Sequence, residues 1–356
     1  MDVLSLVKSV GNRVGVPLGD ALAAVRIAGN WRMPLLLAVS KGVITPVYRA
    51  AFLASATGSG VLGWLAVRPC DLESLADKLG ATQDKERLRA WLEIGVRLGE
   101  LDKREGCYRL RSLAARTLAR AGNDALAAAL EEVLRFHVPV LLGGPRMAAT
   151  GERFSLGDQD GLVIARSTRV IEPFVEAAIA RTLDREGPVR LLEVGCGSGV
   201  HVRHAARLNP RLSALAVDMQ QEVAETAAKN MAEWGLSDRV ETRQGDLRTL
   251  DLQPQFDLVT MHNNIYYFAE DERVAALERV RSLLAPGGRI LLTTSCQGGS
   301  IGLDVLGLWF AYADFGGPLP REEELVAQLE RAGFTGVEAA RIVPGEQFRA
   351  FTATSK

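Results

Sequence analysis

Glycines alternate in Glu193-Val194-Gly195-Cys196-Gly197-Ser198-Gly199, directly after the apolar pair Leu191-Leu192. Glycine adopts backbone conformations closed to other residues and lets a ligand approach the main chain. The run reads as a buried strand that turns sharply into a helix starting near Val200, which sets a nucleotide-like ligand against the helix N-terminus. Spacing narrows the choice. A dinucleotide fingerprint needs G-x-G-x-x-G, and Val200 stands where the third glycine belongs. A P-loop needs Gly-Lys-Ser/Thr, and none follows. Glu193 would set an anion near any phosphate, so it suits a ligand that carries a positive group. Asp218 stands at the tip of the second strand, about 20 residues beyond the loop, where a carboxylate accepts both hydroxyls of an adenosine ribose. Met219 is placed to pack on the adenine.

The pattern Glu193-x-Gly195-x-Gly197-x-Gly199 resembles the cofactor loop of class I S-adenosylmethionine (SAM) methyltransferases. With Asp218, Asp246 and Pro286-Gly287-Gly288 in the same order, the resemblance spans residues 187–356. It implies SAM as cofactor, with S-adenosylhomocysteine as product. The residues implied to hold it are Glu193, Gly195, Cys196, Gly197, Gly199, Asp218, Met219, Gly245, Asp246, Leu247 and His262. In that reading Asp246 accepts the adenine amino group and Leu247 offers its backbone amide to the ring. A winged-helix-like segment lies in front, so the chain is similar over nearly its full length to bacterial small-molecule O-methyltransferases with an N-terminal dimerisation domain. That family carries a His-Asp-Trp triplet after the fourth strand, and the histidine is the general base. Placing Phe268 on the tryptophan puts Tyr266 and Tyr267 at the other two positions, a departure at the key site.

A phenol with a pKa of about 10 is a poor base at neutral pH. A positioned base contributes about 10²–10⁴-fold, whereas holding donor and acceptor in line supplies ~7–11 kcal/mol. Two readings follow. Either His262 is the base, or the acceptor needs none, as a carboxylate, an amine or a stabilised carbanion would not. Asn263, Tyr266 and Tyr267 are candidates to orient the acceptor. The insertion from Ser295 to Pro318 offers Trp309 and Tyr312 as a pocket wall, or forms an ordinary helix packed on the N-terminal half. Arg166 and Arg169 either reach the methionine carboxylate of SAM or stay on the surface. His201 and His204 lie three apart without an evident third ligand, so no metal site is expected. The expected function is methyl transfer by direct displacement to a small-molecule or peptide-terminal acceptor. Methylation of a hydroxyl or carboxylate oxygen is favoured over nitrogen or carbon. The alternative is a non-catalytic SAM sensor.

The elements that must position these groups alternate regularly after the glycine loop. Strands are expected at 212–217, 240–243, 256–261 and 289–294, with a closing antiparallel pair at 337–343 and 347–353. Helices are expected at 222–234, 270–284 and 322–332, and a long helix at 162–183 is expected to pack on the sheet. This is an α/β, doubly wound, Rossmann-like seven-stranded sheet. In front of it, Asp71 caps a helix that Gly80 stops, Thr82 starts a second, and Leu101–Leu110 forms a hairpin with Arg104-Glu105-Gly106 at its tip. A further helix is expected from Asn123 to Phe136, then a connection at Gly143-Gly144-Pro145. The expected division is a mainly helical winged-helix domain at 1–150 and a cofactor domain at 151–356. Around the second helix and hairpin Lys85, Arg87, Arg89, Lys103 and Arg104 interleave with acids, a poor surface for DNA.

Across 356 residues, apolar content of 47% and charged content of 24% are those of a soluble globular chain. Net charge is 42 − 43 = −1, which gives no bulk attraction to nucleic acid or anionic membranes. Cys70, Cys107, Cys196 and Cys296 form no CxxC pair and read as free thiols of a reducing compartment. Met1–Lys8 lacks the pattern of a secretory signal. The apolar region from Met33 to Val67 is broken by Lys41, Pro46 and Arg49, and reads as buried helices at a subunit interface rather than a membrane span. The chain is thus expected to be a cytoplasmic homodimer.

Overall fold

The computed structural model describes residues 32–356 apart from residue 254. The reading of Met1–Lys8 lies outside the described residues. The chain forms two compact units, residues 1–117 and 118–356.

In the first unit, helices α1 (Arg32–Val39) and α2 (Thr45–Gly58) are joined by the π turn Ser40–Ile44, and α3 (Val61–Val67) follows. Helix α4 (Leu72–Leu79) begins where the Asp71 side chain accepts the N–H of Ser74, and Gly80 ends it with φ of 68°. Helix α5 (Lys85–Arg97) starts later than Thr82 because Asp84, not Thr82, caps it by accepting the N–H of Arg87. Strands β1 (Leu101–Arg104) and β2 (Cys107–Leu110) pair antiparallel. Their turn residues Glu105 and Gly106 both have positive φ, the two-residue geometry that matches strand twist. Leu75, Leu92, Leu101 and Tyr108 are fully buried beneath this helix–helix–hairpin unit. Lys85, Arg87, Arg89, Lys103 and Arg104 are each paired with an acid, so the basic residues of this face are internally compensated.

The expected burial of the Met33–Val67 region holds only in part. Phe52, Leu62 and Leu65 are buried, but Leu36, Val43 and Tyr48 are 57%, 58% and 59% exposed. The stretch Leu35–Gly58 has a mean hydropathy of 1.3 and is long and apolar enough to cross a membrane by length and composition. It carries apolar residues around most of its circumference, more than one packing face can cover.

The second unit is built on a seven-stranded sheet. Its strands are β3 (Val189–Val194), β4 (Leu212–Asp218), β5 (Val240–Gln244), β6 (Phe256–His262), β7 (Leu284–Ser295), β8 (Phe334–Arg341) and β9 (Phe348–Ser355). The order is β5-β4-β3-β6-β7-β9-β8, with β9 antiparallel to both its neighbours and the rest parallel. Successive residues feed opposite cores: Leu192, Val259 and Leu292 on one face, Leu191, Leu258 and Leu291 on the other. Burial on both faces is why these strands read as continuous apolar runs.

The helices of this unit are α6 (Asp124–Glu132), α7 (Val138–Thr150), α8 (Gly161–Ser167), α9 (Glu172–Thr182), α10 (Val200–Leu208), α11 (Gln221–Glu233), α12 (Arg273–Leu283), α13 (Ile301–Ala311) and α14 (Glu322–Arg331). Two expectations are corrected. The single helix at 162–183 is interrupted by a 3₁₀ turn at Thr168–Ile171, and Pro173 restarts it in the first turn of α9, where its missing N–H costs nothing. Gly143-Gly144-Pro145 is no connection but part of α7. Residues 118–150 also belong to this unit rather than to the N-terminal one. Arg166 of α8 grips Asp124 of α6 at 2.6 Å, and Arg135 pairs with Asp160 at 2.9 Å.

Strand order reverses between β3, which runs on to β4 and β5, and β6. Ligands of open α/β sheets bind in the crevice at such a switch point, beyond the strand C-termini. Gly195 and His262-Asn263-Asn264 stand there.

Candidate functional site

The glycine loop is closed by the tip of the second parallel strand. The N–H groups of Gly195 and Cys196 both donate to the carbonyl of Val217, and that of Gly197 donates to Asp218 Oδ2 at 3.1 Å. The other Asp218 oxygen accepts the N–H of Gln220 at 3.1 Å. Burial pushes the Asp218 carboxyl above its ordinary value, and these amides work against that shift. Gly195 is required sterically: a Cβ there would lie 2.5 Å from Nδ2 of Asn264, which donates to the Val194 carbonyl at 2.6 Å.

A cleft of about 920 Å³, open to solvent, lies over this loop. Gly195, Gly197, Asp218, Met219, Gly245, Asp246, Leu247, His262, Asn263 and Tyr267 all line it. A largely apolar lining with a few convergent polar groups suits an adenosine-like ligand. The carboxylate of Asp246 is gripped by Arg248 through Nε and Nη2, at 3.0 and 2.8 Å. Burial opposes ionisation of Asp246, and Arg248 outweighs it, so the carboxyl sits below its usual range.

Three of the expected cofactor residues do not line this cleft. Glu193 is 1% exposed behind the loop, because its position in β3 points into the sheet's packing rather than the cleft. Burial raises its pKa, and His201, 3.6 Å away, partly offsets this. Cys196 is buried and borders only a smaller neighbouring cavity, and burial raises its thiol pKa. Gly199 borders neither space. It has φ of 80°, and a Cβ there would lie 2.2 Å from Cε of Met231.

His262 lies with Nδ1 2.9 Å from the Thr293 hydroxyl, while its buried Nε2 has no hydrogen-bond partner. Its ring centroid is 4.7 Å from that of His201. Burial, then the charge of His201, lowers its pKa well below the usual value, so it is neutral at pH 7. The sequence paired His201 with His204. The structure instead brings His201 together with Glu193 and His262, all ligating atoms within 4.8 Å, while His204 pairs with Glu176.

Beyond Asn263 the cleft adjoins a cavity of about 380 Å³ walled by Phe136, Tyr266, Tyr267, Leu306 and Trp309. Asn263 takes a positive φ of 56°, with its side chain accepting from Ser295. Tyr267 donates to Gln159 Oε1 at 3.0 Å. Burial drives the pKa of both Tyr266 and Tyr267 upward, which removes them as bases and leaves them as walls and hydrogen-bonding groups. Trp309 is 1% exposed and borders this cavity, stacked on Phe154. Tyr312 borders none of the cavities described and lies instead against Gly144 of α7. Arg166 is held by Asp124 and Glu131, and Arg169 by Glu172.

The two spaces have several further lining groups. Gln159, Ile164 and Thr168 come from the segment before the sheet, and Glu132 and His137 from α6 and the π turn after it. None carries a spacing signal. They reach the site through tertiary packing of α6 and α8.

The sequence profile of the Methyltransferase domain family matches residues 191–288. Demethylspheroidene O-methyltransferase of Rhodobacter capsulatus is 24% identical, over 87% of this chain and 82% of that protein. The 3-hydroxy-5-methyl-1-naphthoate 3-O-methyltransferase of Streptomyces sahachiroi is 25% identical, over 70% of this chain and 74% of that one. Among solved structures, human N-acetylserotonin methyltransferase in complex with SAM has a TM-score of 0.64 at 19% identity, covering 92% of this chain and 98% of that chain.

Proposed function

We propose that this chain, a SAM-dependent methyltransferase of the class I, bacterial small-molecule O-methyltransferase type, methylates a hydroxyl or carboxylate oxygen of a small molecule by direct displacement. The observation that carries the reading is the continuity of the Asp218 cleft with the aromatic-walled cavity through Asn263 and Tyr267. SAM supplies a methyl group on a sulfonium, an electrophile that needs no metal and no covalent enzyme intermediate.

The Asp218 carboxylate accepts the N–H groups of Gly197 and Gln220 and has lone-pair capacity left for the ribose hydroxyls. Met219 and Leu247 suit the faces of the adenine, and Asp246 its amino group. Gly195 and Gly197 leave room for the main chain to approach the methionyl portion. Asn263 and Tyr267 stand where the two spaces meet. Two relatives named for transfer to oxygen favour an oxygen acceptor, and the small cavity favours a small molecule over a peptide terminus or a nucleic acid.

The exposed apolar residues of α1 and α2 suit coverage by a second copy, which supports reading the working form as a homodimer. Four free cysteines suit a reducing, cytoplasmic location.

Incubating cell extracts with methyl-labelled SAM and the purified chain, followed by mass spectrometry, tests the reading. It expects one labelled small molecule with the methyl on oxygen. Label on nitrogen or carbon would contradict the oxygen assignment, and absence of any labelled product would contradict the activity.

A further inference from the structure

The geometry points to Glu132 as the group that takes the proton from a neutral aromatic hydroxyl in the acceptor cavity, with His137 as its positioning partner. This rests on the methyltransferase reading above.

Glu132 ends α6, and the next five residues, Val133–His137, form a π turn. In a regular helix, residues five apart point to different sides, whereas i→i+5 hydrogen bonding stacks them. Glu132 Oε1 and His137 Nε2 consequently lie 3.7 Å apart, with side chains 19% and 13% exposed. His137 Nε2 is buried with no hydrogen-bond partner, so its contact with Glu132 is its polar environment. Both residues line the cavity shared with Asn263, Tyr266 and Tyr267. His262 borders the cofactor cleft but not this cavity, which places it on the wrong side to meet an acceptor proton.

The other groups facing Glu132 leave it available. Ser167 supplies a hydroxyl, and the phenols of Tyr266 and Tyr267 are near enough to feel its charge. Arg135 is paired with Asp160, and Arg166 with Asp124 and Glu131. Burial lifts the Glu132 carboxyl above the ordinary range and keeps His137 neutral. A carboxylate raised toward neutrality is a better matched base than one at its usual value. The acceptor O–H proton passes to a Glu132 oxygen, the acceptor oxygen bonds the methyl carbon, and the C–S bond breaks with its electron pair left on sulfur. The site thereby supplies a base from a helix in place of the departed histidine at Tyr266.

The test uses the full chain, radiolabelled SAM and two hydroxyl probes. One is 2-naphthol, protonated at neutral pH, and the other is pentafluorophenol, already ionised there. Wild type is expected to methylate 2-naphthol. Glu132→Gln should lower kcat on 2-naphthol by ~10²–10⁴-fold, shrinking about tenfold per pH unit of added alkalinity, with loss on pentafluorophenol of at most about threefold. Glu132→Asp should recover part of the rate, and His137→Gln should shift the acid limb of the pH profile. Wild-type rates in Glu132→Gln, equal losses on both probes, or no transfer to 2-naphthol by a chain that binds SAM would each overturn the proposal. A chain that fails to bind SAM would overturn the underlying methyltransferase reading instead.

Discussion

Asp218 ties the end of β4 to the glycine loop: its Oδ2 accepts the Gly197 N–H at 3.1 Å while Oδ1 accepts that of Gln220. One carboxylate thus sets the shape of the loop and presents its remaining lone pairs to the cleft. The two roles are coupled, because the carboxylate that fixes Gly197 also lines the cleft.

Gly199 serves packing, so its substitution separates stability from binding. Gly199→Ala places a Cβ at a φ of 80° and 2.2 Å from Met231 Cε, a side chain that is 1% exposed. The expected cost is ~2–4 kcal/mol, read as a lower Tm, with SAM affinity of the folded protein nearly unchanged. Lost affinity at an unchanged Tm would instead make Gly199 a direct contact.

His262 gives a pH signature. Its folded pKa is depressed by burial, so below about 6.5 the unfolded chain binds a proton that the folded one refuses. Stability from this group is therefore complete above that pH and is lost as pH falls. The buried acids Glu132 and Glu193, with raised pKa values, act in the opposite sense above about 4.5. The difference between wild type and His262→Gln isolates the histidine. Denaturant titrations from pH 7 to 5 should show the variant's stability falling less steeply, by up to about 1.4 kcal/mol per pH unit. Parallel curves would mean His262 is not held neutral. Since His262 borders the cofactor cleft but not the aromatic-walled cavity, His262→Ala should lower kcat by less than the two decades expected of a general base.

The exposed apolar residues running from α1 through the π turn into α2 bear on assembly. Leu36→Glu with Val43→Glu should convert a dimer of twice 38.4 kDa into a monomer of 38.4 kDa in light scattering. A wild-type monomer would contradict the dimer, and an unchanged dimer would place its interface elsewhere.

The sheet was legible because its strands are buried on both faces and end at Asp218, His262 and the glycine loop, each a change of composition that a single chain displays. The capped helices α4 and α5 were legible for the same local reason. What stayed hidden was set by packing between distant segments. Nothing near Glu132 or His137 marks them as cavity residues, since the π turn that aligns them has no pattern distinct from an α-helix. The burial of Glu193 was not legible, because a strand buried on both sides has no polar–apolar alternation to signal which face a residue meets. His201 was matched with His204 by spacing, whereas its true neighbours come from β3 and β6. The exposure of Leu36, Val43 and Tyr48 ran against composition, which cannot say whether an apolar helix is covered by its own chain.

The central claim, that the Asp218 cleft holds SAM, is tested most directly by calorimetric titration of the full chain with SAM, beside Asp218→Ala. The account predicts one SAM per chain for wild type. It predicts affinity at least about a hundredfold weaker in the variant, since two charge-assisted hydrogen bonds of ~1.5–3 kcal/mol each are removed. Absence of binding to the wild type, or equal affinity in Asp218→Ala, would contradict it.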